Sequence, residues 1–224
     1  MGRFHQDSFP GESNAYREAR DALLAAEMDL RKQVEAVAEL RRTLPPGGEL
    51  KEDYVFDEGD DAHETQFSEL FENGHEILLL YSFMYSGDGD PCPMCTAFLD
   101  SLNGNAPHIR QRVGLAIVAK APIDKIQAFA RSRGWNNLRM LSSGRNSYNA
   151  DYFGERPEFG QIPSMNVFRN TANGIRHLYN TELFFVPPED GQHPRHMDMM
   201  WPLWNVFDLT PEGRGADWFP GRDY

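Results

Sequence analysis

Residues 76–141 alternate short, almost wholly apolar runs with amphipathic stretches, and this alternation limits the possible folds more than any other feature of the chain. The run 76–85 is nearly continuous in Ile, Leu, Tyr, Phe and Met, the pattern of a strand covered on both faces. A polar loop, Gly87-Asp88-Gly89-Asp90-Pro91, separates it from residues 92–103, which read as a helix with Gly104 beyond its end. Residues 112–119 form a second apolar strand. Residues 122–133 form a second helix, with proline in its first turn, Gly134 past its end, and Ile123, Ile126, Phe129 and Ala130 on its inner face. Residues 138–141 make a short third strand. Strand–helix–strand–helix–strand at this spacing predicts right-handed crossovers and a parallel sheet. Two further strands, 164–169 and 175–179, flank an Asn-Gly turn at Asn173-Gly174, which predicts an antiparallel hairpin added to the parallel core. The predicted class is α/β, a central mixed sheet flanked by helices.

The flanks are less regular. Residues 14–43 predict a long helix capped by Ser13, with Tyr16, Leu23, Leu30 and Val37 at intervals of seven and Ala19, Ala26, Val34 and Leu40 widening the stripe. Pro45-Pro46-Gly47-Gly48 ends it. Such a helix either folds back on its own domain or serves as an arm for dimerisation or partner binding. The expected organisation is an N-terminal helical appendage over residues 1–48 and one domain over 49–224. Within the domain, the acidic stretch 51–69 lacks the ligand order of a calcium loop and reads as a solvated turn beside a short strand, Tyr54-Val55-Phe56. Phe67, Leu70 and Phe71 suggest one or two helical turns ended by Asn73-Gly74. Near the C-terminus, one helix is expected around residues 196–204, disturbed by Pro202, followed by irregular chain.

Composition excludes several classes. With 22 Lys and Arg against 34 Asp and Glu, the net charge of −12 repels phosphate backbones, so nucleic acid is not expected as a partner. The apolar run at 77–85 falls far short of the roughly 20 residues a bilayer requires, so no membrane partner is expected. The first residues carry no apolar signal region, and Gln6 and Asp7 stand where a myristoylation motif wants a small hydroxyl residue. A cytoplasmic location follows as the expectation.

The 2 cysteines share one tetrapeptide, Cys92-Pro93-Met94-Cys95. A bridge across two residues closes almost no loop and stabilises little, so reactivity explains the pair better than architecture does. A thiol attacks disulfides or peroxides as thiolate, and a helix N-terminus stabilises that anion. Cys92 falls at the N-cap of the first predicted helix, and Pro93 at its first position, where proline costs nothing. Cys95, Phe98, Leu99 and Leu102 follow an i, i+3, i+4, i+7 spacing, which puts Cys95 on the apolar face. One sulfur is exposed and the other waits a turn below, as an attacking and a resolving thiol require. A CxxC that follows a strand and opens a helix reads as thioredoxin-like. At the corresponding point of that fold, before the antiparallel strand, stands Ile162-Pro163. Pro163 is either a trans edge-strand residue or a cis proline that would face the cysteines, with the backbone of the residue before it docking substrate.

Several stretches resemble one family: 38–48 (AELRRTLPPGG), Tyr54-Val55-Phe56, Phe83-Met84-Tyr85, the cysteine tetrapeptide, 119–126, Gly134-Trp135, Leu141-Ser142-Ser143 and 207–214. They resemble the bacterial thioredoxin-like family known as domain of unknown function 899, across residues 16–218. The resemblance implies a fold distantly similar to peroxiredoxins and thioredoxins and names no substrate; no cofactor is expected.

Three rival readings differ in class. Peroxiredoxins carry Pro-x-x-x-Thr/Ser-x-x-Cys, whereas Tyr85 and Gly89 precede Cys92 at those places and Asp88 and Cys92 precede Cys95, so the peroxide-polarising hydroxyl is missing. Arg139 or Arg145 could still stabilise a thiolate, although both read as solvated. Zinc on Cys92, Cys95, His193 and His196 suffers from a two-residue histidine spacing stiffened by Pro194, and no metal is expected. Pairing of Cys92 with His63, His75 or His108 has no local support. A non-catalytic module would use the helical arm and a Trp201/Trp204 surface, although tryptophans are more often core. The preferred expectation is a thiol–disulfide oxidoreductase: Cys92 attacks, Cys95 resolves, and Ile162 and Pro163 shape the substrate groove. Its partners would be a disulfide-containing protein or a small thiol, and a second copy of itself in a homo-oligomer. Asp88 and Asp90 would oppose thiolate formation, and their loop would narrow access.

Overall fold

In this computed structural model, which describes residues 4–192, 197 and 199–222, Ser13 caps α1 (Asn14–Arg42) by accepting the Tyr16 N–H at 3.1 Å. The chain divides into two compact units, Met1–Pro45 and Pro46–Tyr224. In the first unit Leu23, Leu30 and Leu40 are exposed along α1, and Arg17 is buried against Glu12.

The second unit begins with β1 (Val55–Glu58) and β2 (His63–Gln66), joined as an antiparallel pair. Two short 3-10 turns, Phe67–Leu70 and Glu72–Gly74, lead into β3 (Ile77–Ser82). Then come α2 (Pro93–Ile109), β4 (Gly114–Ala119), α3 (Ile123–Arg133) and β5 (Met140–Ser142). A single turn, α4 (Tyr148–Asp151), precedes a small hairpin of β6 (Glu155–Arg156) and β7 (Gly160–Gln161). The long hairpin of β8 (Ser164–Thr171) and β9 (Gly174–Asn180) follows, and α5 (Pro202–Phe207) lies near the end. The main sheet has the order β2-β1-β5-β4-β3-β8-β9, with β3, β4 and β5 mutually parallel and β8 antiparallel to β3. The β3–α2–β4 crossover with the β8–β9 hairpin is the thioredoxin-like core. Strand β5 on the far side of β4 gives the peroxiredoxin-like element order.

Alternation along β3 divides the core in two. Leu78 and Leu80 face an aromatic cluster with Tyr54, Phe56, Phe67, Tyr148 and Phe168. Tyr81 and Phe83 belong to the other cluster, with Cys95, Phe98 and Leu99 from α2, Ile123 and Ile126 from α3, and Trp201 and Trp204. Strand β4 is buried at every position, as its unbroken apolar sequence implies.

Several boundaries depart from expectation. Helix α2 does not stop at Gly104 but runs through it and through Pro107 to Ile109. Pro107 has no N–H to give the Asn103 carbonyl, and Asn137 Nδ2 donates to that oxygen instead at 3.2 Å. Pro202 opens α5 rather than disturbing a helix already under way; residues 196 and 198 of the expected span lie outside the described residues. Trp201 and Trp204 are buried and form no docking surface. Strand β2 was not foreseen.

Candidate active site

The loop after β3 folds back on its own start, where the Cys92 N–H donates to the Met84 carbonyl at 3.1 Å, and Cys92 stands at the N-cap of α2. Its Sγ accepts the Cys95 N–H at 3.4 Å, in the place a serine or aspartate oxygen takes in an ordinary cap. Thr96 donates both N–H and Oγ1–H to the Cys92 carbonyl, at 3.0 and 2.9 Å, which holds the first turn closed. Both cysteines are free thiols; Cys92 is partly exposed and Cys95 wholly buried. A hydrogen bond from the Cys95 thiol, joined by the Cys95 and Met94 backbone N–H groups and opposed by burial, lowers the Cys92 pKa to about 6. Burial first, then the neighbouring Cys92, pushes Cys95 well above the ordinary thiol range, and the Tyr81 hydroxyl partly offsets this. The two sulfurs therefore differ in exposure and in how readily each becomes a thiolate.

Cys92 opens into a cavity of about 470 Å³. Met84, Met94, Ile162 and Pro163 line it together with the aromatic and proline residues of the segment after β9, Phe184, Phe185, Pro187 and Pro188. Of the four residues expected at the site, Cys92, Ile162 and Pro163 line this cavity, while Cys95 is buried and does not line it, its N–H bonded to Cys92 Sγ. The Ile162–Pro163 bond is trans, since no cis peptide occurs among the described residues; this is the commoner state of an X-Pro bond. The Ile162 N–H is also already engaged, donating to the Gly154 carbonyl at 2.9 Å, so it is not available to dock a substrate chain.

The cavity contains residues that periodicity could not reveal. The β6–β7 hairpin contributes Arg156, Phe159 and Gln161. Gln161 Oε1 accepts the Tyr85 N–H at 2.8 Å and ties the hairpin to the end of the loop that carries Cys92. The guanidinium of Arg156 lies 4.8 Å from the Phe153 ring centroid and 4.5 Å from that of Phe185. The dense run Phe184-Phe185-Val186-Pro187-Pro188 was the available signal, apolar yet without the period of a helix or strand.

The remaining candidates lie apart from this chemistry. Arg139 is not solvated: it is mostly buried and pairs with Glu58 and Glu72. Arg145 pairs with Asp57 and Glu64. His63 is held by Asp61, and His75 Nε2 lies 3.0 Å from the Arg110 carbonyl. Asp90 is paired with Arg222, and neither Asp88 nor Asp90 lines the cavity, so the loop does not narrow it as expected. His193 and His196 of the zinc reading lie outside the described residues.

The family described as "Bacterial protein of unknown function (DUF899)" matches residues 6–224. The chain belongs to this family. No curated protein matches it. Among solved structures, it is similar to a peroxiredoxin-like protein from Aquifex aeolicus at 14% identity, over 62% of this chain and 75% of that one, with a TM-score of 0.43. The peroxidoxin BcpB of Mycobacterium tuberculosis is 17% identical over 61% of this chain and 84% of its own, with a TM-score of 0.45. An exposed lipoprotein thioredoxin of Streptococcus pneumoniae is 12% identical over 58% and 87%, with a TM-score of 0.41.

Proposed function

We propose that the protein is a thiol–disulfide oxidoreductase in which Cys92 is the nucleophile and Cys95 the resolving thiol. The observation that carries this reading is the contrast at the head of α2: a partly exposed sulfur with its pKa lowered to about 6, above a buried one pushed the opposite way. The Cys92 thiolate attacks one sulfur of a disulfide, forms a mixed disulfide and expels the other half as thiolate. Cys95 then gives up its proton to that leaving thiolate or to solvent and attacks the Cys92 sulfur. The products are the Cys92–Cys95 disulfide and the second thiol. Ile162 and Pro163 form the wall against which the substrate disulfide lies.

The substrate class is a disulfide-containing protein or a small thiol in its oxidised form. A reducing compartment would keep the pair as the free thiols of the resting state, so the protein is assigned to the cytoplasm. The exposed heptad-spaced residues of α1, Leu23 and Leu30 among them, support self-association through a second copy of that helix; sedimentation equilibrium of the whole chain reads this directly. The defining experiment is iodoacetamide alkylation of the reduced protein against pH. Cys92 reactivity should rise with a midpoint near 6, and the Cys95→Ser variant should accumulate the mixed disulfide by mass spectrometry. A midpoint at the ordinary cysteine value would remove the oxidoreductase reading.

A further inference from the structure

The walls of the Cys92 cavity are mostly apolar, yet Arg156 places one full positive charge among them. In a chain with 34 carboxylates, Arg156 pairs with none of those among the described residues; two phenyl rings hold its guanidinium instead. Rings on a guanidinium shield it from water and restrict its direction without neutralising it. Arg156 is therefore an unsatisfied cation positioned for an anion. Gln161 adds a second donor: its Oε1 accepts from Tyr85 N–H, which leaves the Nε2 amide without a partner among the described residues. Both groups stand on the same small hairpin, and no carboxylate lines the cavity among the described residues.

Resting on the oxidoreductase reading, we infer that this cavity takes small disulfides that join an apolar, ring-sized body to a carboxylate, with Arg156 holding the carboxylate while Cys92 attacks the sulfur. A volume of about 470 Å³ lies within the roughly 300–1,000 Å³ typical of small-molecule sites. An extended polypeptide, by contrast, would find the Ile162 N–H already bonded to Gly154. The exchange balances as above: the Cys92–S–S–R bond forms as the substrate S–S bond breaks, the first R–S⁻ leaves, and Cys95 releases the second as the Cys92–Cys95 bond closes.

Two aryl disulfides test the charge preference, the anionic dithiobis(nitrobenzoate) and the neutral dithiodipyridine. The ratio of their rate constants with reduced protein should fall about tenfold in Arg156→Gln, the loss of one charge-assisted hydrogen bond, and recover in part in Arg156→Lys. An unchanged ratio overturns the proposal. Calorimetry of nitrobenzoate against the Cys92→Ser protein reads the anion site without any thiol chemistry. Saturable binding that Arg156→Gln abolishes supports it; no binding, or binding indifferent to Arg156, overturns it. An inert Cys92 beside an intact anion site would instead count against the oxidoreductase reading.

Discussion

At the β1–β2–β5 edge of the sheet and at the β6–β7 hairpin beside Cys92, the same side chain sits in opposite settings. Arg139 at the edge donates to both oxygens of Glu58, at 2.7 and 2.8 Å, and to Glu72 at 3.1 Å, while Glu58 also accepts from Thr65 at 2.8 Å. Arg110 closes the cluster on Glu72. Every charge there meets its opposite. Arg156 at the hairpin meets two aromatic rings and no carboxylate among the described residues. The guanidinium at the sheet edge is neutralised by carboxylates, whereas the one lining the Cys92 cavity lies against two rings. The location of unspent charge separates scaffold from site more sharply than burial does, because both arginines are partly covered.

The largest test of this contrast removes the closed charge. Arg139→Ala leaves Glu58, only 16% exposed at its side chain, without its guanidinium, while Glu72 keeps Arg110. Stranding one partly buried carboxylate in this way should cost about 3 kcal/mol in chemical denaturation. The midpoint of Cys92 alkylation should stay in place, since Arg139 does not line the cavity. A loss below about 1 kcal/mol, or a shifted thiol midpoint, would mean that edge and site are not separate systems.

A smaller effect should appear in the pH dependence of stability of the reduced protein. The Cys92 pKa in the folded chain lies below that of an ordinary thiol, so folding favours its anion. That advantage is absent below about 6, grows between about 6 and 9.0, and is complete above 9.0. Cys95, pushed up by burial, acts in the opposite sense above the ordinary thiol value, so the stability of the whole protein falls again there. Because water reaches the Cys92 sulfur, the full gain is discounted to about 2 kcal/mol relative to Cys92→Ser. Paired melts of the two proteins across this range measure it, and parallel curves would show that neither the Cys95 thiol nor the helix terminus holds the thiolate.

The sequence made some of this legible and hid the rest for identifiable reasons. Cys92 as N-cap with Pro93 behind it follows from local chemistry, as do Cys95 on the apolar face and the Asn173-Gly174 hairpin, because each depends on neighbours a few residues away. Strand β2 escaped because its sequence, His-Glu-Thr-Gln, buries only Thr65 and shows no apolar alternation. Gly104 looked like a stop, but α2 continues past it because Asn137 satisfies the carbonyl that Pro107 leaves open. Arg139 read as solvated since its carboxylates lie 81 and 67 residues away. The Arg156 side of the cavity was invisible for the same reason: Phe153 and Phe185 come together only when the hairpin folds over the head of α2. Local signals located Cys92 at the head of α2, while long-range packing defines what surrounds it.

The smallest expected effect concerns Arg145, which lies on the same edge as Arg139 and also reaches two carboxylates, Asp57 and Glu64. If the number of ionic partners set the value of an arginine, Arg145→Ala and Arg139→Ala would cost alike. Solvent argues otherwise: the Arg145 side chain is 59% exposed and that of Glu64 is 65% exposed, so water takes over much of what the substitution removes. Arg145→Ala should therefore cost only a small fraction of what Arg139→Ala costs, and added salt should erase most of it. Asp57, whose own side chain is only 16% exposed, sets the upper limit, because it loses its guanidinium partner yet keeps a route to water. A loss as large as that of Arg139→Ala, insensitive to salt, would show that the whole edge behaves as one buried network, and the boundary between closed and open charge would then have to be drawn further out.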